Sequence, residues 1–581
     1  MHVLLIYPNR PRLTFGFMPG PYGLEILRAH LRVLPVECDI VNPFLHPVPQ
    51  KALAEAIRPD TILAGISVRN LDDALVLWNN GDVHGGIQTE SCIDDIKLVV
   101  EVIRQLAPDL PILMGGAAFG HMPHRLLNYL GVKAGLRGAP ERQFARLVQA
   151  MTLEGATFEE AVTRVPGVVS TGLPVLMSSG QTQAERPAVT VEQRESVYFR
   201  FRAEAAVRTY SGCPLSCSHC VEHVGSRRIE KSAPECVADE VETVLDRYPE
   251  VRRIFFADSE VNLGGEERTS ELLHQIRRRS GARDVSLVGY FNPRPLSFRL
   301  LQDLRETNCE VRLTVDHVAD SILERNGKNF RKRHLKEIVS NYAQLGLELS
   351  FSVLLGQPGE TRETVDEVLE FVENIPAAIR GPVYFSPGVR VYPETPIERL
   401  IAKGLLDPRW LIGSLDNTDQ AVRPLVYCES WHPGELFDYV RSQSGELMSP
   451  MNGYMTALPS QDRQVLENQF RAYHVGLACL DRDDESSWQS WAAVDHRAPF
   501  LTGRQRADFL WHRGLLALQR GLAGQSLEDW SLLEQRLTQM RAPHEMQRKV
   551  AYNMSIARQI LSAERGPLID GTSVAPQFST A

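Results

Sequence analysis

The sequence predicts an α/β protein built from three structural parts and one connecting segment. Short apolar runs alternate with amphipathic ones over residues 1–150, which is typical of a Rossmann-like, doubly wound parallel sheet. The same alternation returns over residues 206–404 and predicts a partial (βα)6 barrel. Helical spacing dominates residues 405–581 and predicts a mostly α-helical C-terminal domain, whereas residues 151–205 have the mixed, polar character of a linker.

Composition indicates a globular chain and excludes several functional classes. The 581 residues exceed what one hydrophobic core usually serves, and 43% hydrophobic and 23% charged residues are ordinary values for soluble domains. A net charge of −9 gives no basic field that would recruit nucleic acid, and no apolar run is long enough to span a membrane. The first eight residues are typical of a strand rather than of a signal peptide. We therefore expect a cytoplasmic protein without nucleic-acid or membrane partners.

The strands of the first domain are predicted from short, β-branched runs bounded by Pro, Gly or Asp. They cover residues 2–8, 36–41, 61–68, 111–114 and 132–136, with amphipathic helices at 22–33, 50–57 and 93–106. Ligands of such sheets bind beyond the carboxyl ends of the strands. The loops at 67–70 and 115–120 follow two of these strands and are therefore candidate ligand contacts.

The barrel strands are predicted from a second series of apolar runs. They cover residues 205–209, 253–257, 285–290, 311–315, 347–355 and 383–391. Active-site residues of β/α barrels lie where the strands run into loops. Beyond the barrel, helical spacing is clearest at residues 465–480, 506–522 and 528–540.

Three of the nine cysteines, Cys213, Cys217 and Cys220, lie within eight positions directly after a predicted strand. Their C-x3-C-x2-C spacing lets three thiolates hold three corners of a four-iron cluster and leaves the fourth iron open to a ligand. The alternative is a structural zinc site that adds His219 or His223 to the thiols. Zinc loops more often use paired two-residue spacings, and the sequence has no second pair, so the cluster is favoured.

At these cysteines the chain resembles the radical S-adenosylmethionine (SAM) superfamily. Residues 255–260, 356–361 and 391–396 are similar to segments that follow the second, fifth and sixth strands in that family. The resemblance implies a [4Fe–4S] cluster on the three cysteines, with SAM bound to the open iron through its amino and carboxylate groups. It also implies cofactor contacts from four residues of the barrel: His219, Asp258, Glu260 and Ser352.

The parallel domain ahead of the barrel resembles the cobalamin-binding domain of cobalamin-dependent radical SAM methyltransferases. Ser67, Gly115 and Gly116 stand at positions similar to the elements that hold the nucleotide tail of cobalamin. The alternative is a dinucleotide site, but residues 115–120 lack the full G-x-G-x-x-G spacing and an acidic residue about 20 positions later. The cobalamin contacts that the resemblance implies are Pro8, Asn9, Ser67, Arg69, Gly115, Gly116, Ala117, Gly138 and Glu141.

The sequence departs from the common cobalamin pattern beneath the cobalt. Many such domains carry Asp-x-His-x-x-Gly after the first strand, whereas residues 7–12 here contain no histidine. Residues 82–87 imitate the motif but lack its final glycine and follow a different strand, so we interpret them as a coincidence. Arg69 replaces the leucine of the family's Ser-x-Leu element. The alternative to a role near the cobalt is that Arg69 is an ordinary surface arginine on this loop.

Arg69 and the missing histidine together predict polar rather than radical methyl transfer. Loss of a methyl cation from the corrinoid leaves its cobalt less positive, and a nearby guanidinium favours that change. At ~6 Å and an effective dielectric of ~20, Coulomb's law favours the product of that change by about 3 kcal/mol per unit charge, or roughly a hundredfold. We therefore assign Arg69 a catalytic role.

Within this family, the chain most resembles the members that methylate C2 of L-tryptophan during thiopeptide biosynthesis, over essentially its full length. That resemblance implies 2-methyltryptophan as product, SAM as methyl source and methylcobalamin as carrier; a reductase that restores Co(I) is a further expected partner. An indole attacks an electrophilic methyl group, and a base near its N–H would help. The candidate bases are the SAM carboxylate and three acids that end predicted strands, Asp258, Glu260 and Asp316. Glu260 and Asp316 are assigned catalytic roles.

Two other functions remain open from the sequence. A radical methyltransferase that acts on an unactivated carbon or a phosphinate would form 5′-deoxyadenosine in step with its product. A non-enzymatic metal- or cobalamin-binding sensor would bind its ligands without turnover.

Overall fold

The protein was analysed as a computed structural model, whose described residues form two compact units. Met1–Arg10, Met18–Phe44 and Val48–Ser460 make the first unit, and Pro11–Phe17, Leu45–Pro47 and Gln461–Ala581 make the second. The patterns noted in the sequence at 82–86 lie outside the described residues, and so does His223. The described residues are 1–13, 18–71, 77–78, 87–88, 92–138, 140–172, 191, 193–222, 229–281, 283–412, 425–445, 447–450, 460–480, 484–539 and 544–565.

The first unit begins with a six-stranded sheet that confirms the expected parallel domain. The strand order is β2-β1-β3-β6-β7-β8, in which β8 is antiparallel to β7 and the other pairings are parallel. Its first five strands have the flavodoxin-like order, which leaves a crevice for ligands between β1 and β3. The strands up to this point are β1 (His2–Ile6), β2 (Glu37–Val41), β3 (Thr61–Ser67), β4 (Leu77–Trp78), β5 (Ile87–Gln88), β6 (Ile112–Gly115), β7 (Ala134–Leu136) and β8 (Val168–Ser170).

Amphipathic helices cover this sheet because their apolar residues recur at helical spacing. Ile96 and Val99 of α3, for example, are buried in one core with Ile66 of β3. Helix α6 and strand β8 fall within the segment expected to be a linker, and a Thr157 capping box starts α6 there. The helices are α1 (Tyr22–Leu31), α2 (Pro49–Ala56), α3 (Ile93–Leu106), α4 (Pro123–Leu130), α5 (Glu141–Thr152) and α6 (Phe158–Arg164).

A second parallel sheet forms the expected barrel, with strand order β9-β12-β13-β14-β15-β16-β20. The six expected strands are present, and β20 adds a seventh from beyond residue 404. The strands are β9 (Glu204–Val207), β10 (Tyr210–Ser211), β11 (Glu230–Lys231), β12 (Arg253–Phe256), β13 (Ser286–Phe291), β14 (Cys309–Asp316), β15 (Leu349–Leu355), β16 (Arg380–Pro387), β17 (Val389–Val391), β18 (Leu411–Ile412), β19 (Leu425–Tyr427) and β20 (Met448–Pro450).

The two faces of the barrel sheet differ in burial. In β15, Phe351 and Val353 are buried in the core with the helices, whereas Ser352 between them is only half-buried on the opposite face. This period-2 alternation places polar side chains on the inner face, where a barrel binds its ligands. The barrel helices are α7 (Val197–Phe201), α8 (Pro234–Arg247), α9 (Glu266–Ser280), α10 (Phe298–Glu306), α11 (Asp320–Arg325), α12 (Lys332–Leu345), α13 (Arg362–Glu373) and α14 (Pro396–Ala402).

The C-terminal region is mostly helical, as the sequence predicts. Strands β18, β19 and β20 are the exception, and at two or three residues each they are too short to produce a periodic signal. Within the part of the chain that the structure describes, no helix is long and apolar enough to cross a membrane. The helices are α15 (Pro433–Ser444), α16 (Ser460–Cys479), α17 (Asp484–Ala492), α18 (Gly503–Gln519), α19 (Ala523–Gln539) and α20 (His544–Arg565), and short 3-10 turns occur at Pro43–Leu45, Phe119–His121, Val261–Gly264 and Pro408–Trp410.

Candidate active site

The three cysteines of the spaced motif lie on the loop between β10 and β11. These two short strands pair antiparallel, so they close the base of the loop. Cys213 and Cys217 are buried, and Cys220 is half-buried. The loop begins at the carboxyl end of β9, which is the first strand of the barrel and the place where barrel active sites form.

Asp258 anchors the start of this loop. Its carboxylate accepts hydrogen bonds from the Thr209 amide at 2.8 Å, the Thr209 hydroxyl at 2.7 Å and the Tyr210 amide at 3.2 Å. Burial raises the pKa of Asp258 to about 6, although these donors oppose the rise. Both carboxylate oxygens are therefore engaged by the protein, which gives the residue a clear local role in positioning the loop.

Glu260 lies in a second polar group that joins the ends of three neighbouring strands. One carboxylate oxygen accepts a hydrogen bond from the Asn292 amide at 2.7 Å, and the other accepts one from the Thr314 hydroxyl. The backbone carbonyl of Glu260 accepts a hydrogen bond from the Tyr210 hydroxyl at 2.6 Å. The carboxyl group is buried, and this burial raises its pKa.

Asp316 ends β14 and faces the middle of the cysteine loop. It forms an ion pair with the buried Lys328, and the same oxygen lies 3.5 Å from His219 Nε2. Burial alone would raise the pKa of Asp316, but the charge and hydrogen bond of Lys328, together with His219 and His317, outweigh it and lower that pKa. The pKa of His219 falls to about 4, mainly because of burial, so the ring is neutral near pH 7. Its Nδ1 is buried without a hydrogen-bond partner in the protein.

The cysteine thiols fit a multinuclear cluster better than a single ion. Burial raises the pKa of Cys213 to about 11 and that of Cys220 to about 12, and it also raises the pKa of Cys217. Among the described residues, no group of three or more His, Cys, Asp or Glu side chains could hold one metal ion. A zinc site that used His219 is thus not formed. In a four-iron cluster each thiolate binds its own iron, so the sulfurs need not converge on one point.

Ser352 lies at mid-height on the inner face of the barrel sheet. It is in register with Thr314 on one side and Tyr384 on the other, so a polar row crosses β14, β15 and β16. Thr314 belongs at once to this row and to the group around Glu260. Ser352 therefore lies on the same surface as the polar residues around Glu260.

The segment at 356–361 forms a tight turn around a buried carboxyl group. Glu360 accepts hydrogen bonds from the Gly356 amide at 2.8 Å and the Gln357 amide at 3.3 Å. Burial raises the pKa of Glu360 to about 8. The side chain of Gln357 donates to the backbone carbonyl of Asp316 at 3.3 Å, which ties this turn to the end of β14.

The N-terminal sheet brings Ser67, Gly115 and Gly116 together, as the sequence predicts. Ser67 and Gly115 are in register at the carboxyl ends of β3 and β6. Gly116 has a φ of +100°, and a Cβ atom there would lie 2.5 Å from the carbonyl oxygen of Val68. Only glycine fits this close approach. Ala117, the next residue, is exposed and extends the edge toward solvent.

Arg69 and the end of β1 lie at the same edge of this sheet. Arg69 is exposed, and its charge opposes the rise that burial causes in the pKa of Tyr7. Pro8 and Asn9 are buried; the Asn9 amide donates to the Tyr7 hydroxyl at 3.1 Å, and the Asn9 carbonyl accepts from Asn42 at 2.8 Å. At this edge, Arg69 is therefore exposed, whereas the turn after β1 is buried and internally hydrogen-bonded.

Glu141 lies after an exposed turn at Gly138, whose φ is +81°. It pairs with Arg208, which immediately precedes the anchored Thr209. Burial would raise the pKa of Glu141, but the Arg208 guanidinium outweighs it and lowers that pKa. The backbone amide of Arg208 also donates to the Tyr22 hydroxyl at 2.9 Å. The contact of Glu141 with Arg208 joins the N-terminal domain to the barrel, and its contact with a cofactor stays a prediction.

The sequence did not single out several residues that hold these groups. Arg208, Asn292, Thr314, Asn326 and Lys328 each occur alone in their local sequence. Their partners are distant along the chain: the contact from Arg208 to Glu141, for example, spans 67 positions. No periodicity or spacing marks such residues, and only a charge placed next to the end of a strand could have drawn attention to Arg208.

Residues 207–372 match the family model described as the radical SAM superfamily. They form a radical SAM domain. Among similar sequences, tryptophan 2-C-methyltransferase of Streptomyces laurentii is 23% identical over 467 residues, which cover 69% of this chain and 74% of that protein. An uncharacterized methyltransferase of Pyrococcus horikoshii is 21% identical over 310 residues, which cover 51% of this chain and 64% of that protein. The radical SAM domain thus has methyltransferases among its relatives.

Solved structures share the fold well beyond the radical SAM domain. TsrM from Kitasatospora setae, with cobalamin and a [4Fe–4S] cluster bound, matches with a TM-score of 0.63 at 21% identity, covering 85% of this chain and 99% of TsrM. TsrM with tryptophan and a SAM analogue bound matches with a TM-score of 0.65, covering 85% and 97%. OxsB with aqua-cobalamin and SAM bound matches with a TM-score of 0.58 at 12% identity, covering 97% of this chain and 84% of OxsB. The chain therefore has the architecture of these enzymes.

Proposed function

We propose that this chain is a SAM- and cobalamin-dependent C-methyltransferase that converts L-tryptophan to 2-methyltryptophan by polar methyl transfer. One observation carries the proposal: a radical SAM cysteine loop and an open N-terminal sheet edge with an exposed Arg69 belong to one compact unit. The similarity to tryptophan 2-C-methyltransferase over 69% of this chain supports the choice of substrate.

Cys213, Cys217 and Cys220 would hold the [4Fe–4S] cluster, and the edge formed by Ser67, Gly115 and Gly116 would hold cobalamin. When bound, the cluster would hold SAM at its open iron, and cobalamin would carry the methyl group of SAM to the substrate. The buried anchors around the cysteine loop would fix the thiols and exclude water from them. Gly116 would shape this edge by letting its backbone pack directly against the backbone of Val68.

Arg69 would favour polar transfer through its charge. The guanidinium is exposed at the sheet edge and lies after the strand that ends at Ser67. A fixed positive charge stabilises a neighbouring centre that becomes less positive. This is the physical reason to expect methylated product without consumption of SAM to 5′-deoxyadenosine.

Glu260 is the better candidate for the base that accepts the indole N–H proton. Burial raises its pKa, so its carboxylate is a stronger base than an exposed one. Asp316 is less suitable because Lys328 neutralises it and lowers its pKa. Asp258 is less suitable because its oxygens accept three hydrogen bonds that anchor the cysteine loop, whereas each oxygen of Glu260 accepts one.

The test is an anaerobic assay of the full chain reconstituted with iron, sulfide and cobalamin. SAM and L-tryptophan are added, and the products are followed by mass spectrometry. We expect 2-methyltryptophan and S-adenosylhomocysteine in equal amounts, with no matching 5′-deoxyadenosine, and no product when cobalamin is omitted. A reconstituted chain that holds both cofactors but leaves tryptophan unmethylated would overturn the choice of substrate. Colourless protein that retains neither iron nor cobalt would overturn the function itself.

Radical methylation of an unactivated carbon or a phosphinate is the second candidate. The observation that favours it is the match to OxsB, a cobalamin-dependent SAM radical enzyme, which covers 97% of this chain. This function requires 5′-deoxyadenosine in step with methylated product and a reductant for the cluster. Ligand binding without any turnover of SAM would instead favour a sensor.

A further inference from the structure

Residues 326–328 run alongside the cysteine loop and contact it at successive positions. The carbonyl oxygen of Asn326 accepts the Ser218 amide at 3.0 Å, and its side chain accepts the Ser218 hydroxyl. Gly327 has a φ of +70°, and a Cβ atom there would lie 2.8 Å from the carbonyl oxygen of Ser216. The two backbones are therefore in direct contact, and this contact fixes the loop on both sides of its central cysteine.

Lys328 continues this contact with a charge. Its side chain is only 6% exposed, its ammonium group forms an ion pair with Asp316, and its charge interacts with the Cys217 thiol. A buried ammonium is stable only when it is paired, and Asp316 supplies that pairing. Glu260 is a second acidic group near it. One cation is thus paired with a buried carboxylate, and it follows directly on the two residues that contact both neighbours of Cys217.

We propose that Lys328 is a positioning residue for the iron–sulfur cluster, which holds Cys217 in place and raises the reduction potential of the cluster. This inference rests on the proposed function, because it requires a cluster on the three cysteines. Reduction adds negative charge to a cluster, and hydrogen bonds and charges near its sulfurs set its potential. A fixed cation beside one ligand therefore stabilises the reduced state, while Asp316 opposes it and limits the effect.

The experiment is a redox titration of the reconstituted full chain, followed by electron paramagnetic resonance of the reduced cluster. Lys328→Met removes the cation and leaves Asp316 unpaired, so the midpoint potential should shift to more negative values. Asp316→Asn removes the opposing anion and should shift it to more positive values. Lys328→Arg keeps the charge and should remain near the wild type. Lys336→Met is the matched control, because Lys336 is exposed on α12.

Iron content separates the possible outcomes. Loss of iron from Lys328→Met, with retention in Lys328→Arg, supports the positioning role, and Asp316→Asn then tests the charge effect by itself. Midpoint potentials of Lys328→Met and Asp316→Asn that equal the wild-type value overturn the inference while leaving the function intact. A wild-type chain that assembles no cluster overturns the proposed function instead.

Discussion

The cysteine loop of the barrel and the ligand edge of the N-terminal sheet are built in opposite ways. The loop is held by buried polar side chains, among them Asp258 and Lys328, which are paired with other protein groups. The N-terminal edge is open, and Arg69, Ala117 and Gly138 along it are exposed. Thiolates that share one small cluster need fixed positions, whereas a broad ligand can be held by backbone and small residues. The two edges should therefore fail in different ways when they are mutated.

The largest expected effect comes from the loop itself. Cys217→Ser should abolish cluster assembly and methyl transfer, because a serine hydroxyl is a poor replacement for the thiolate that binds one iron of the cluster. Iron and sulfide analysis of the purified protein measures the loss, and cobalamin binding should persist. Cys236→Ser, on α8, is the control and should keep its iron. If Cys217→Ser retained full iron, these cysteines would not be the ligands.

Arg69→Leu tests the open edge through charge. We expect methyl transfer to slow by at most about a hundredfold, the Coulomb estimate for one charge at ~6 Å, because solvent screens an exposed guanidinium. Cobalamin content should be unchanged, so the measurement is the rate of product formation at equal cobalamin loading. Arg69→Lys should fall between the two, and Arg299→Leu on the exposed surface of α10 should behave as wild type. An unchanged rate and product ratio in Arg69→Leu would remove the catalytic role of this residue.

Gly116→Ala tests the same edge through shape. The added Cβ would lie 2.5 Å from the Val68 carbonyl oxygen, and the φ of +100° is unfavourable for alanine. We expect cobalamin affinity to fall by about tenfold, equivalent to about 1.4 kcal/mol, while the iron content stays constant. Equilibrium titration with cobalamin measures it. Gly524→Ala, where an added Cβ meets nothing within 4 Å, is the control. Equal affinities would show that the close approach does not shape the site.

The smallest effect concerns the pair that joins the two regions. Glu141→Gln should lower the free energy of unfolding by about 1–2 kcal/mol at pH 7, less than a fully buried pair because both side chains keep some exposure. The folded-state pKa of Glu141 is lowered, so its stabilising contribution is present above the ordinary value of about 4.3 and is lost as the pH falls through the lowered value.

Urea denaturation at pH 7 and at pH 3 measures this contribution. The variant and the wild type should differ at pH 7 and converge at the lower pH. Glu159→Gln, which breaks an exposed pair with Lys133, should have little effect at either pH. A constant difference across the pH range would mean that Glu141 stabilises the fold by packing and not by charge.

The sequence predicts most of the parallel core because buried strands have a strong local signal. Strand β3 is predicted from its own β-branched run and helix α3 from its own apolar spacing, without reference to residues distant in the sequence. The short strand β20 was missed because three residues have no measurable period. Strand β8 was missed because it gains its place by pairing with β7.

Only those residues of the candidate site that form a spaced sequence motif could be predicted. Cys213, Cys217 and Cys220 are marked by their spacing. Asp258, by contrast, reads in the sequence as an acid at a strand end, and only three dimensions show that it hydrogen-bonds to the chain 49 positions earlier. Lys328 is similar, because its partners lie on other strands and loops.

The contact between Glu141 and Arg208 limits how far the first cysteine of the motif can lie from the N-terminal domain. Arg208 is five residues before Cys213, and an extended chain covers at most ~3.6 Å per residue. Cys213 therefore lies within roughly 18 Å of Arg208, which contacts the N-terminal domain, whatever the conformation of the residues between them. Insertions could lengthen other surface loops at little cost. An insertion between Arg208 and Cys213 would instead increase the possible distance between the cysteine loop and the N-terminal domain.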